Sequence, residues 1–205
     1  MITRKMDRRE ILKSCGMGMA ALAFPAWQVE EQSASKAEPG VTVIRVGNIY
    51  AGGQWYFDPV GLYIPKGTKV RWTSTKWGAT VTAFHPSNDN HELRIPENAK
   101  PFDSGLIGDS YKNTFEWTFD VEGTYDYFSR NHESLGMVGR IVVGRPGGPA
   151  ERFPLGYGGR EGRAVVFPQQ VEALAVVPSQ EIVAKKTIPF PRTLLYRPHP
   201  YGDVR

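Results

Sequence analysis

His132 and Met137 lie in one short loop, and both carry side chains that bind soft metal ions. An imidazole nitrogen and a thioether sulfur suit copper, but one of each holds Cu(I) weakly and Cu(II) hardly at all. Ser129 begins the same loop. Its hydroxyl is neutral near pH 7 and less polarisable than a thiolate, so it cannot replace a cysteine as a copper ligand. The loop is therefore either a weak Cu(I) site or a structural loop in which His132 and Met137 only pack.

Two predicted strands hold this loop. Tyr125, Tyr127 and Ser129 alternate with Asp126 and Phe128, which predicts a strand whose odd-numbered residues share one face. The sequence VGRIVV at Val138–Val143 is a second run rich in β-branched residues. The candidate ligands thus follow the end of one strand and precede the next.

The loop resembles the metal-binding loop of the cupredoxins, the plastocyanin, pseudoazurin and halocyanin family. The family pattern is Tyr-x-Tyr/Phe-x-Cys-x-x-His-x-x-x-Gly-Met. The matching residues here are Tyr125, Tyr127, Ser129, His132, Gly136 and Met137. The resemblance implies that His132 and Met137 retain family ligand positions and that Ser129 replaces the cysteine ligand.

The upstream ligand of the family is also replaced. The segment ATVTAFHP, residues 79–86, resembles the halocyanin-type HTVTAY segment, so Ala79 stands at the histidine position. A blue copper site needs two imidazoles and a thiolate with a weak axial thioether. The resemblance therefore implies a cupredoxin fold from the copper-binding, electron-transfer lineage with an incomplete type 1 copper site.

His85 and His91 are candidates for a secondary metal site. Both border a polar connection that contains nearby carboxylates, a combination that could suit zinc. Six residues of extended strand between Ala79 and His85 would span about 20 Å, so His85 should lie far from the loop of His132. The alternative is that both histidines are simply solvated.

Several further strands are expected from alternation and turn signals. We predict strands at residues 41–46, 55–63, 69–73, 80–84 and 114–119, and no helical period competes between residues 41 and 144. Together with the two strands beside the loop, this predicts an all-β, Greek-key β-sandwich.

The composition fits one globular domain with extensions. The chain has 205 residues, of which 40% are hydrophobic and 12% aromatic. Most of the net charge of +4 lies in residues 1–26, so nothing favours nucleic-acid binding. No nucleophile–base–acid arrangement, phosphate loop or paired-carboxylate motif is present, which argues against an enzyme.

Residues 1–26 resemble a twin-arginine export signal. Arg8 and Arg9 precede a mildly apolar stretch with small residues at Ala23 and Ala26, where cleavage is expected. The apolar stretch is too short for a transmembrane helix, so the mature protein should be periplasmic or otherwise extracytoplasmic and have no membrane span. Cys15, the only cysteine, would be removed with the signal, leaving neither a disulfide nor a thiolate.

The rest of the chain divides by composition. Residues 27–40 are predicted to be a linker, residues 41–144 the cupredoxin-like domain, and residues 145–205 an irregular C-terminal arm rich in proline and glycine. The best helix candidate in the arm is residues 169–177, between two prolines. The arm also holds apolar clusters, including residues 188–190, which should pack on the sandwich or on a partner.

Two functions follow as hypotheses. The first is an exported copper-binding protein that exchanges electrons with a redox partner. The second is a copper-free interaction module whose C-terminal arm docks a structural partner or a second subunit.

Overall fold

The computed structural model describes residues 40–49, 54–75, 78–89, 92–152 and 167–194. The described strands are β1 (Val41–Ile49), β2 (Gln54–Asp58), β3 (Gly61–Ile64), β4 (Thr68–Thr73), β5 (Thr82–Ala83), β6 (Thr114–Phe119), β7 (Gly123–Phe128), β8 (Val138–Val143) and β9 (Thr187–Ile188). The helices are α1 (Pro149–Arg152), α2 (Pro168–Ala175) and α3 (Ser179–Lys185), with 3-10 turns at Arg130–Leu135 and Arg192–Leu194.

The strands form two sheets. One has the order β2-β1-β4-β6, and the other has the order β5-β7-β8-β3-β9. β1 pairs in parallel with β4, and β3 in parallel with β8, whereas the other pairs are antiparallel. The predicted all-β sandwich is confirmed.

An aromatic core lies between the sheets. Trp72 on β4 is fully buried and contacts the rings of Phe102, Phe115 and Tyr127. Tyr125 and Tyr127 both face this core, as their alternation predicts. Gly139 on β8 leaves room for Tyr127, because a Cβ there would lie 2.4 Å from the tyrosine ring.

The strand predicted at residues 80–84 is wrong in length, because only Thr82 and Ala83 form β5. The amide of Thr80 donates to the hydroxyl of Ser129, and the amide of Val81 donates to the hydroxyl of Ser104. These two amides are therefore taken by side chains rather than by a neighbouring strand, and regular pairing begins only at Thr82.

The predicted strand at residues 55–63 is two strands. β2 ends at Asp58 and pairs with β1 in the first sheet, whereas β3 begins at Gly61 and pairs with β8 and β9 in the second. Pro59 stands between them. The chain therefore changes sheets at Asp58 and Pro59, which interrupt the apolar pattern.

The C-terminal extension is more regular than its composition predicts. Pro168 begins α2 at a position where its missing N–H is not needed, and α3 and β9 follow. Ile188 and Phe190 pack on the sandwich, as expected for that cluster. No helix in the described ranges is long and apolar enough to span a membrane.

The predicted export signal, residues 1–26, lies outside the described residues, as does the linker up to residue 39. The domain boundaries predicted there remain predictions.

Candidate functional site

Ser129 lies immediately after β7 and is fully buried. Its Oγ accepts a hydrogen bond from the backbone N–H of Thr80 at 3.0 Å. Its own N–H donates to the carbonyl of Met137 at 3.1 Å, which closes the loop at its base. Ser129 therefore joins the two ends of the loop to the segment that precedes β5.

His132 lies in the 3-10 turn that opens the loop. Its Nδ1 is 3.4 Å from the Oγ of Ser129, and its ring stacks on Trp55 with a centroid separation of 3.9 Å and an interplanar angle of 14°. Burial lowers the pKa of His132 to about 4. The imidazole is therefore neutral near pH 7.

Ala79 and Met137 are both fully buried in the core between the sheets. The N–H of Ala79 donates to the carbonyl of Ile107 at 3.0 Å, and the N–H of Ile107 donates back at 2.8 Å. The methyl group of Ala79 offers no electron pair to a metal. Because Thr80 follows Ala79 and bonds to Ser129, the structure brings the Ala79 segment beside the loop, as the sequence predicts.

A polar network extends outward from Ser129. The N–H of Arg130 donates to the Oγ1 of Thr80 at 2.9 Å, and the Oγ1 of Thr80 lies 3.0 Å from that of Thr82. Thr82 donates to Asp103 at 3.0 Å, and the guanidinium of Arg130 binds Asp103 at 2.5 Å. The network ties the loop to two neighbouring segments through protein hydrogen bonds alone. It was not predicted, because these residues are separated in sequence and form no recognisable motif.

This set of side chains does not fit type 1 copper. Ala79 and Ser129, which the family resemblance aligns with the histidine and cysteine ligands, carry a methyl group and a hydroxyl, and the hydroxyl already accepts the N–H of Thr80. Among the described residues, no group of three or more His, Cys, Asp or Glu side chains could hold a metal ion.

The structure describes only one histidine, His85, of the secondary metal site predicted from His85 and His91. The Nδ1 of His85 is 2.8 Å from the hydroxyl of Ser87 and also accepts the N–H of Ser87 at 3.1 Å. His91 lies outside the described residues.

Trp55 and Asp126 are two further residues of interest that the sequence analysis did not assign. Trp55 covers one face of His132, and the side-chain amide of neighbouring Gln54 donates to the carbonyl of Leu135 at 3.4 Å. Asp126 is fully buried and binds Arg94 and Arg140 at 2.7 Å each. The available signal for Asp126 was a charged residue inside the otherwise apolar strand GTYDYF.

Part of this chain is similar to known copper-binding proteins. Residues 45–144 match the profile of the family described as copper binding proteins, plastocyanin/azurin family. A chloroplastic plastocyanin of Tetradesmus obliquus is 31% identical over 98 residues, which are 44% of this chain and 60% of that protein. A halocyanin of Natronomonas pharaonis is 32% identical over 87 residues, which are 42% of this chain and 47% of that protein. The chain therefore spans less than two thirds of either relative.

Among solved structures, a pseudoazurin from Methylobacterium extorquens AM1 is similar over 55% of this chain and 80% of its own length. The sequence identity is 21% and the TM-score is 0.44.

Proposed function

We propose that residues 45–144 form a cupredoxin domain that is a copper-free member of an electron-transfer lineage, used as a structural or binding module. The observation that carries the proposal is the position of the Ser129 hydroxyl. It accepts the N–H of Thr80 and lies beside the Nδ1 of His132, so the polar atoms at the centre of the loop pair with one another.

The surrounding contacts support the same function. Burying a polar group without a partner costs about 1–3 kcal/mol, and here the amide of Thr80 has its partner within the protein. The network of Thr80, Thr82, Arg130 and Asp103 holds the loop through further hydrogen bonds. The loop therefore needs no metal ion to join its ends.

Binding of Cu(I) through His132 and Met137 is the second candidate. It is favoured by the partial burial of the His132 ring against Trp55, which lowers the pKa of His132, because a metal-bound imidazole must be neutral. In this case the protein would hold copper without type 1 geometry, since one imidazole and one thioether are the ligands that remain from the family set.

The proposed location is outside the cytoplasm, and it rests on the twin arginines Arg8 and Arg9 and the apolar stretch that follows them. The proposed partner is another protein, since no catalytic arrangement was found in the sequence. For a copper-free module this partner is structural. For a copper protein it would be an electron donor or acceptor.

Copper content distinguishes the two candidates. The full chain is expressed with its own export signal under copper-replete growth, purified without chelators, and analysed by mass spectrometry. A copper-free module should contain less than about a tenth of an equivalent of copper, because two soft ligands alone bind weakly. An equivalent close to one that is lost in His132→Gln would contradict the proposal.

The variant His132→Gln serves as the matched control for any copper that is found. Copper that is absent from His132→Gln would be bound through His132, which supports the second candidate. Copper that persists is bound elsewhere in the chain, and the loop remains copper-free as proposed.

A further inference from the structure

The outer face of the second sheet carries a buried apolar cluster, although it points away from the core between the sheets. Phe128 on β7 and Val138 and Val142 on β8 are fully buried, together with Val60 and Phe84. The residues that bury them belong to α2, α3 and β9 or directly flank these elements, namely Ala173, Leu174, Val177, Ile182, Ile188 and Phe190. We call residues 168–190 the C-terminal layer.

Two glycines allow the C-terminal layer to approach the sandwich closely. A Cβ at Gly61 on β3 would lie 3.0 Å from the side chain of Ile182 and 3.2 Å from that of Val177. A Cβ at Gly136 would lie 2.8 Å from Gln169. At both positions a larger residue would push the C-terminal layer away, so its close approach depends on the missing side chains.

Backbone hydrogen bonds fasten the layer to β3. The N–H of Val60 donates to the carbonyl of Ile188 at 3.0 Å, and the N–H of Tyr63 donates to the carbonyl of Lys186 at 2.8 Å. In addition, the N–H of Phe190 donates to the carboxylate of Asp58 at 3.0 Å. Without the layer, the amides of Val60 and Tyr63 would lose these partners.

A carboxylate next to the second sheet also forms a hydrogen bond with the C-terminal layer. Glu151 on α1 accepts hydrogen bonds from Thr124 on β7 at 2.6 Å and from Ser179 on α3 at 2.5 Å. Arg94, which binds the buried Asp126, also donates to the carbonyl of Ala150 on α1 at 3.1 Å. The polar groups on this face are thus arranged around segments from beyond residue 145.

We propose that the C-terminal layer is an obligatory part of the domain, bound to the second sheet of its own chain through contacts that do not need the covalent link of residues 153–166. The layer is then not a free arm for a partner. This inference is independent of whether the loop of His132 binds copper.

A nicking experiment tests the inference on the full chain. A recognition sequence for a specific protease is inserted between Gly158 and Gly159, the folded protein is cleaved, and the products are separated by size-exclusion chromatography. The two fragments should elute together in equal amounts without denaturant and separate in urea. Separation without denaturant, with the N-terminal fragment still folded and monomeric, would overturn the proposal.

Two substitutions on α3 provide matched variants. Ile182→Asp places an unpaired carboxylate against the apolar face and should raise the free fraction of the nicked fragment at least about tenfold. Ala184→Asp makes the same chemical change on the exposed side of α3 and should leave the complex intact. Failure of Ile182→Asp to fold would also support an obligatory layer, whereas equal behaviour of the two variants would contradict it.

Discussion

The hydroxyl of Ser129 limits the chemistry of the position after β7. Ser129 is buried and keeps a hydrogen bond to the backbone of Thr80, so the residue still joins two segments. It does so as a neutral acceptor rather than as a charged, polarisable ligand. The hydrogen bonds of Ser129 therefore hold the loop without a thiolate at this position.

We predict that the imidazole of His132 makes the stability of the folded protein depend on pH. Burial lowers the pKa of His132 to about 4 in the folded protein, below the ordinary value of 6.5. The unfolded chain therefore binds the proton first as the pH falls. The contribution of His132 to stability is complete above about pH 6.5, decreases as the pH falls toward 4, and decreases no further below that pH.

An NMR titration of the His132 ring, assigned by comparison with His132→Gln, measures this directly. The expected midpoint is about 4. The free energy of unfolding of the wild type should also fall more steeply than that of His132→Gln between about pH 6.5 and 4. A midpoint near the ordinary value of 6.5 would contradict the burial of His132 beside Trp55.

Strand β7 shows how far alternation predicts an element. The pattern correctly assigned Tyr125 and Tyr127 to one face. It could not predict that Asp126 and Phe128 on the opposite face are also buried, because the residues packed on that face come from distant parts of the chain, both before and after β7. The same long-range effect explains the short β5, whose preceding amides bond to Ser129 and Ser104.

For strand β7, we predict that the free energy of unfolding depends on Asp126. Burial alone would raise the pKa of Asp126, but the positive charges of Arg140 and Arg94 outweigh burial and hold the pKa below its ordinary value. Asp126→Asn leaves these two guanidinium groups without their shared carboxylate. We expect a loss of about 3–5 kcal/mol in the free energy of unfolding, because a buried charge loses its partner.

Chemical denaturation of Asp126→Asn measures this loss. The matched control is Asp109→Asn, which changes an exposed carboxylate and should shift the free energy of unfolding by less than about 0.5 kcal/mol. Similar losses in the two variants would show that the buried ion group does not stabilise the second sheet.

At the scale of the whole molecule, the sandwich could be predicted from strand patterns and the loop motif, whereas the C-terminal layer could not. A proline- and glycine-rich composition does not reveal that α2 and α3 bury the outer face of the second sheet, because their amphipathic segments are short. The assignment of Ala79, Ser129, His132 and Met137 to the candidate site stays a prediction. The network that joins Ser129 to Thr80, Arg130 and Asp103 depends on tertiary structure.

The central claim is that Ala79 and Ser129 occupy the two lost ligand positions of a copper site, and restoring both ligands tests it. In a Cys15→Ser background, the double variant Ala79→His with Ser129→Cys is compared with the wild type and with each single change. Ala79 is fully buried, and filling a packed core costs about 1–3 kcal/mol, so folding is first verified by circular dichroism.

The measurement is the visible absorption spectrum during titration with Cu(II). The double variant should develop an intense blue or green thiolate-to-copper band, because two imidazoles, a thiolate and the thioether of Met137 are then available. The wild type and Ala79→His, which lack a thiolate at position 129, should stay without this band, and Ser129→Cys alone should give a weaker or unstable one. A folded double variant that binds no copper, or a wild-type protein that turns blue, would contradict the claim.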